Sequence, residues 1–341
     1  MARRKGFAHL HVHTVHSVLD GMTQHEEMCD EVLADAEATG AELAAIASTD
    51  HGTLSGTYKF SKMARKRGVT PLFGNEMYLA NGLQEGARFA KDGRGVAADG
   101  AELDGDKADG GTGKRKTKRY EHITLLAETE EGWKNLIRIN NAAQAPDAKW
   151  GKPRADIDLI CRHSEGIIAL TGCLGGPVLG SVARGDVDRA RSVLRHMLTN
   201  GFDRDHLFLE IMEHGIPQEA KAMRTMLDLG DEFEISPVAT NDAHFAAEGD
   251  AHAHEAWLCN ATKAKFSDPD RWKFHGEGYW LRSAAEMRAI FDDDERTQTA
   301  CDNTLLIAER IAASGDIMTP SELRLPEFPV PSDYVPSTSA Q

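Results

Sequence analysis

FAHLHVHTVHS, residues Phe7 to Ser17, puts four histidines into eight positions directly after a short basic start. His11 and His13 end a first apolar strand, and the segments C-terminal to them set the architecture. Thr23 reads as a helix N-cap with Glu26 three residues later, and Met28, Val32, Leu33 and Ala36 recur at helical spacing until Gly40. LAAIA (Leu43 to Ala47) reads as a buried strand, LSGTYKFSKMARKRG as a helix ended by Gly68, and TPLFGNEMYLA as another strand. This β-α-β-α-β rhythm resumes with HITLLA, a helix around Trp133 to Ala143, GIIALTG, a helix near Val187 to Leu198, HLFLEIM, a further helix and SPVAT. Such alternation predicts a parallel sheet, either open or closed into a barrel.

The rhythm fails between Gln84 and Arg119, a stretch rich in Gly, Asp and Ala that ends in the basic run KRKTKR. It reads as a long mobile insertion. After about Ser283 the strands cease, and two helices precede the proline-rich LRLPEFPVPSDYVPSTSAQ, which has the composition of a linker. The expected division is a barrel domain over 1–282, with its insertion at about 84–119, and a helical segment with a tail over 283–341.

The 341 residues, 41% hydrophobic and 27% charged, fit one large soluble domain or such a domain with an appendage. No apolar run approaches the roughly 20 residues that span a bilayer, and Ala2-Arg3-Arg4-Lys5 precedes no apolar signal segment. The five cysteines, Cys29, Cys161, Cys173, Cys259 and Cys301, have no C-x-x-C spacing and suggest neither disulfides nor a zinc knuckle. A cytoplasmic protein with no membrane partner is expected. The 39 Lys plus Arg stand against 54 Asp plus Glu, a formal charge of −15, which opposes binding a polyanion over the whole surface. A polyanion must be held locally, and carboxylates that ligate cations count as negative although the loaded site is not.

One H-x-H pair carries little weight in a chain this rich in histidine, and His252 and His254 form another. The position of other ligand-type residues raises His11 and His13 above that background. Asp50-His51 follows LAAIAST, Glu76 ends TPLFGN, Cys173 follows GIIALTG, and Asp242-x-His244 follows SPVATN. In parallel β/α architectures the carboxyl ends of strands converge on one face, so these groups should meet. His122 is the exception, because it precedes the apolar run of its strand. Mixed imidazole and carboxylate donors suit Zn²⁺, Mn²⁺ or Fe²⁺ better than Ca²⁺ or Mg²⁺. So many donors call for two or three divalent ions bridged by a carboxylate such as Glu76, an arrangement that hydrolyses phosphate esters.

FAHLHVHTVHSVLDGMT, ASTDHGTLSG, PLFGNEMYLA, HITLLAETEEGWKNLIRI, IIALTGCLGG and VATNDAHF resemble the polymerase and histidinol phosphatase (PHP) domain of bacterial replicative DNA polymerase III α subunits. The resemblance continues through AHAHEAWLC, DPDRWKF, GEGYWLRSAAEMRAIF and ACDNTLLIAERI, and GKPRADIDLI and the placement of the insertion look most like actinobacterial or actinophage forms. It implies a distorted (β/α)7-type barrel with a helical C-terminal extension. It also implies up to three metal ions, Zn²⁺ or Mn²⁺ with Fe²⁺ as an alternative, held by His11, His13, Asp20, His51, Glu76, His122, Cys173, Asp242 and His244. The implied activity is a metal-dependent 3′→5′ exonuclease that proofreads at a DNA 3′ end. The implied partner is the rest of a polymerase, its palm, fingers and thumb, in cis or as a split partner. The catalytic polymerase aspartates of such subunits lie well beyond this chain, which stops where the palm would begin.

Two other readings stand beside it: a small-molecule phosphatase of the histidinol phosphatase type, and a catalytically silent structural module of the replicase. For the substrate strand, Lys114, Arg115, Lys116, Lys118 and Arg119 of the basic run, together with His214, are the expected contacts. His9 is expected to be packed or to orient a ligand, Asp50 to make a turn or support the site, and the cysteines other than Cys173 to be small buried apolar groups.

Overall fold

The computed structural model describes residues 4–83, 86–89, 120–291 and 294–318. The basic run, most of the expected insertion and the proline-rich tail lie outside the described residues. After the opening segment come α1 (His25–Thr39), β1 (Ala45–Ser48), α2 (Thr57–Arg67), β2 (Thr70–Leu79), β3 (Glu121–Ala127) and α3 (Glu130–Ala143). Next are β4 (Lys149–Trp150), β5 (Lys152–Ala155), α4 (Ile157–Arg162), β6 (Ile167–Leu170), α5 (Leu179–Ala183) and α6 (Val187–Asn200). The chain continues with β7 (Leu207–Ile211), α7 (Pro217–Phe233), β8 (Pro237–Ala239), α8 (Ala251–Thr262), α9 (Ala284–Ile290) and α10 (Glu295–Ala313). Among the described residues no helix is long and apolar enough to cross a membrane.

The strands form one sheet in the order β4-β5-β2-β3-β6-β7-β8, with β1 also paired to β2. The expectation of a wholly parallel sheet is corrected: β3 runs antiparallel to both β2 and β6, while β1–β2, β6–β7 and β7–β8 are parallel. A parallel connection needs a crossover, usually a helix, and the sequence between β2 and β3 lacks the apolar periodicity of one. The opening segment joins the two ends of the sheet. His9 bridges Ile46 of β1, and Val12 bridges Ala243 just after β8. Ala47 N–H donates to the His9 carbonyl at 2.8 Å, and His13 N–H to the Ala243 carbonyl at 2.7 Å. The result is a distorted barrel with a helical extension.

The opening segment makes single bridges rather than a regular strand, and its side chains explain why. Leu10 packs into the barrel interior, yet its neighbour His11 also faces inward, onto Thr124 and Glu210. A strand of period two cannot turn consecutive residues to one side. Helix α1 begins one residue later than expected, with Gln24 as N-cap and its N–H donating to Glu27 at 2.9 Å. Thr23 is taken up in a bridge to Thr14.

Two apolar clusters hold the barrel. The outer one lies between the sheet and the surrounding helices, with Ile46, Phe73, Leu125, Ala169 and Leu209 among its strand residues. The inner one joins Leu10, Leu72, Leu126, Leu170, Phe208 and Val238. By strand periodicity Leu72 shares a face with Glu76, Leu126 with His122, and Phe208 with Glu210, so this cluster is the floor under those polar groups. Helix α10 supplies Leu305, Ile307, Ala308 and Ile311 to the same floor. It also satisfies strand backbone: Asn303 donates to the Pro237 carbonyl at 2.7 Å, and Thr304 Oγ1 accepts the Ala8 N–H at 3.1 Å. His9 lies in the wall, with Nε2 at 2.8 Å from the Arg282 carbonyl, and burial pushes its pKa down to about 4.

Ile307 is completely buried in α10. Ile307→Ala is expected to lower unfolding stability by about 2–5 kcal/mol, the cost of a cavity in a packed core. Urea denaturation checks this, and an unchanged midpoint would show that α10 is not part of the barrel's core.

Candidate metal centre

The rim above that floor is built from short segments at the strand ends. Glu76 lies in the outer half of β2, and His51 pairs with it directly after β1. His122 opens β3, and the antiparallel direction of β3 resolves its exceptional place in the sequence. The start of β3 lies beside the end of β2, in register with Tyr78, so His122 joins the same rim as the strand ends. Cys173 follows β6. Asp242 follows β8 with φ of 44°, a left-handed conformation that an aspartate tolerates better than most residues. It folds the Asp242 carboxylate back between His11 and His13.

All nine expected ligand positions meet at one cleft, linked through contacts between donor atoms. Asp242 Oδ1 stands 3.3 Å from His11 Nε2 and 3.2 Å from His13 Nε2. Glu76 is the common partner: Oε1 lies 3.4 Å from His11 Nε2 and 3.2 Å from His122 Nδ1, and Oε2 lies 3.5 Å from His13 Nε2 and against His51 Nδ1. Cys173 Sγ approaches Glu76 Oε1 at 3.9 Å. Asp20 Oδ2 is 3.3 Å from His51 Nε2, and the His244 ring stacks on His13 at 4.3 Å.

Further residues hold these donors in place. His11 Nδ1 is 2.7 Å from Glu210 Oε1, a carboxylate with no exposed surface on β7. Thr240 Oγ1 donates to the same oxygen at 2.7 Å, and the Gly172 N–H donates to Oε2 at 2.8 Å. Gly172 has φ of 87°, and a Cβ there would fall 2.4 Å from the His122 carbonyl, so this donor needs glycine. On the other side, His13 Nδ1 is 2.9 Å from Ser17 Oγ, which donates at 2.9 Å to Asp50. Asp50 also accepts from the Thr14 N–H at 2.8 Å and from the hydroxyls of Thr14 and Ser48. It therefore both shapes the turn and supports the site. The sequence reading missed Glu210; its signal is a lone carboxylate at an inward position of the apolar run HLFLEIM.

The residues fit metal ions on two observations. His11 Nε2, His13 Nε2 and Asp242 Oδ1 are buried and lack a hydrogen-bond partner, although buried polar atoms are nearly always satisfied. Their mutual spacing is also that of ligands, because donors about 2.0–2.1 Å from a tetrahedral ion stand about 3.3 Å apart. Three overlapping groups have donor atoms within 4.8 Å of one another: His11, His13 and Glu76; His51, Glu76 and His122; and His13, His51 and His244. Electrostatics agree. Burial works against charge on Glu76, but His122, His51 and His11 hold its carboxyl well below the usual range. Burial likewise opposes a charged His11, yet Asp242, Glu210 and Glu76 raise its pKa well above the usual value. A cation is the preferred companion of these carboxylates, and bound protons are its competitors.

His214 lines the same cleft, but both ring nitrogens are engaged, Nδ1 with Glu219 at 3.0 Å and Nε2 with the Asn241 carbonyl at 3.0 Å. A substrate phosphate would have to displace one of them. The other expected contacts, Lys114, Arg115, Lys116, Lys118 and Arg119, lie outside the described residues. Cys29, Cys161, Cys259 and Cys301 are buried. Burial pushes the thiols of Cys161 and Cys301 up to about 12, which keeps them neutral.

Glu210→Gln keeps the size of the side chain and removes its charge from His11. It is expected to weaken Zn²⁺ or Mn²⁺ binding roughly 10–100-fold, the usual effect of losing a group that orients a ligand. Metal titration followed by calorimetry measures this, with thermal unfolding of the metal-free protein as the control for folding.

Comparison with known proteins shows the family. Residues 9–214 match the PHP domain family. The chain is 39% identical over 330 residues to DNA polymerase III subunit alpha of Mycobacterium tuberculosis H37Rv, covering 96% of this chain and 26% of the relative. The same subunit of Mycobacterium leprae is 38% identical over 331 residues, with 96% and 26% covered. That of Thermus aquaticus is 34% identical over 331 residues, with 97% and 25% covered. The chain thus spans about a quarter of the length of these curated relatives. With the strand-end cluster in place on a distorted barrel, this chain belongs to the PHP domain family and is homologous to the N-terminal region of DNA polymerase III α subunits.

Proposed function

We propose that the chain is a metal-dependent phosphoesterase that removes nucleotides from a DNA 3′ end in the 3′→5′ direction, as the proofreading nuclease of a replicative polymerase in the cytoplasm. The observation that carries this reading is the convergence of nine donor side chains on one cleft, with the buried Glu76 shared among four imidazoles. The similarity to DNA polymerase III subunit alpha supports the remainder of a polymerase, in cis or as a split partner, as the body with which it works.

His11, His13, Asp20, His51, Glu76, His122, Cys173, Asp242 and His244 are the residues that would hold two or three divalent ions, Zn²⁺ or Mn²⁺ and alternatively Fe²⁺. When bound, such ions lower the pKa of water toward neutrality and offset charge on phosphoryl oxygens during an in-line displacement. The chain's own part is to present the lone pairs. Glu210 fixes His11 so that Nε2 faces the cleft, and Ser17, held by Asp50, does the same for His13. Glu76 offers one oxygen to each side of the cluster. The basic run, Lys114 to Arg119, guides the strand toward a site in an otherwise acidic protein.

With Mn²⁺ or Zn²⁺ and a 5′-labelled single-stranded DNA, the wild type is expected to give a ladder of 3′-shortened products that His13→Asn and Asp242→Asn each abolish. Absence of the ladder from protein with its metal bound would overturn the reading. Neutralising Lys114, Arg115, Lys116, Lys118 and Arg119 together is expected to raise the KM for DNA and flatten its salt dependence, with hydrolysis of a small chromogenic phosphodiester retained. Equal loss on both substrates would refute the guiding role.

A further inference from the structure

His122 and Cys173 reach the cluster on two segments whose backbones are joined to each other. The His122 N–H donates to the Gly175 carbonyl at 3.0 Å, and the Gly175 N–H donates to Cys173 Sγ at 3.3 Å. Both side chains address the same oxygen of Glu76, His122 Nδ1 from 3.2 Å and Cys173 Sγ from 3.9 Å. Strand pairing alone does not secure this edge. The β3–β6 ladder runs only from Ala127 to Thr124, so at His122 the neighbour is the turn after β6, and Glu121 is the last residue of β3 paired with β2. Side chains alternate along a strand, so Glu121 points away from the cluster, toward the helices. There Arg189 of α6 takes hold of it. Nη1 donates to Glu121 Oε1 at 2.8 Å and Nη2 to Oε2 at 2.7 Å, a two-point pair with a buried carboxylate. Nη1 also reaches the Pro177 carbonyl at 3.2 Å and Ser181 Oγ at 2.7 Å, at the far end of the Cys173 turn. Nη2 reaches the Asn81 carbonyl at 2.9 Å, two residues beyond the strand that carries Glu76.

We propose that Arg189 is a positioning residue of the metal centre: it locks the start of β3, the Cys173 turn and the end of β2 together, and so holds His122 and Cys173 as a pair facing Glu76 Oε1. The inference rests on the reading of the nine donors as metal ligands and deepens it. This edge of the centre has a support of its own, distinct from Glu210 on His11 and from Ser17 and Asp50 on His13. Arg189 supplies there what ladder hydrogen bonds supply elsewhere in the barrel. A planar guanidinium suits the task, because its fork engages both carboxylate oxygens and still has N–H groups for carbonyls on either side. An ammonium group is a point charge and cannot meet all of these acceptors at once. Glu121 is also 3.7 Å from Arg184, but that group does not bridge to the other two segments.

Cobalt(II) is the probe, because a thiolate bound to it gives a near-ultraviolet charge-transfer band that imidazole and carboxylate ligands do not give. Metal-free protein is titrated with Co²⁺, the band is recorded, and total bound cobalt is measured by equilibrium dialysis. The wild type is expected to show the band and Cys173→Ser to lack it. Arg189→Met is expected to raise the Co²⁺ concentration needed for the band roughly 10–100-fold, the usual effect of losing a group that orients a ligand, and to leave the binding of band-silent cobalt unchanged. Arg189→Lys, which keeps the charge without the fork, is expected to recover only part of the loss. Glu121→Gln weakens the same pair from the other side and carries the test if circular dichroism shows that Arg189→Met does not fold. A band formed at the wild-type Co²⁺ concentration by the variant that carries the test overturns the proposal. So does an equal loss of both classes of cobalt, which marks a general loosening of the fold. No band in the wild type overturns it together with the ligand role of Cys173. None of these outcomes depends on DNA cleavage, so the exonuclease reading stands or falls on its own assay.

Discussion

The organisation of the barrel turns on one buried carboxylate. Glu76 is 1% exposed and faces His11, His13, His51 and His122, each brought from a different segment of chain or a different position on its segment. A carboxylate removed from water is tolerated only when opposite charge surrounds it, and the cost of leaving it alone is several kcal/mol. The barrel meets that requirement by turning strand ends inward at one rim. The apolar floor below makes the requirement stricter, since it excludes the water that would otherwise serve.

Around Glu76 the arrangement is layered. His11 and His13 could each rotate or change tautomer, and each is prevented from doing so by a different device. Glu210 reaches His11 from β7 and is itself held by Thr240 and the Gly172 backbone. Asp50 reaches His13 through Ser17 and ties down the loop that carries both. These supports come from opposite sides of the barrel, so the closure of the sheet by the opening segment is what allows both to act on neighbouring histidines. Helix α10 belongs to the same logic, because the floor it completes fixes the strands whose ends form the rim.

The acidic surface and the cleft are consistent with each other. A chain with a formal charge of −15 repels a polyanion in general and attracts one only where cations are concentrated. A cluster that fits several divalent ions supplies such a place.

Much of this was legible in the sequence, and for a physical reason. Histidine, aspartate, glutamate and cysteine at the ends of apolar runs are expensive to bury without a purpose, so their recurrence after LAAIAST, TPLFGN, GIIALTG and SPVATN marked a shared rim. The helices came from periodicity and glycine stops, as at Gly40 and Gly68, both in the left-handed conformation that glycine adopts freely. Three things were decided only by the tertiary structure. The direction of β3 was one, since an apolar run reads the same in a parallel or an antiparallel pair, and that direction brings His122 to the rim. The role of Glu210 was another, because the histidine it supports lies 199 positions away in the chain. The packing beside the cleft was the third: Trp272, Phe274 and Tyr279 lie in a loop of no regular period, and local sequence carries no record that Phe274 will meet the ring of His244.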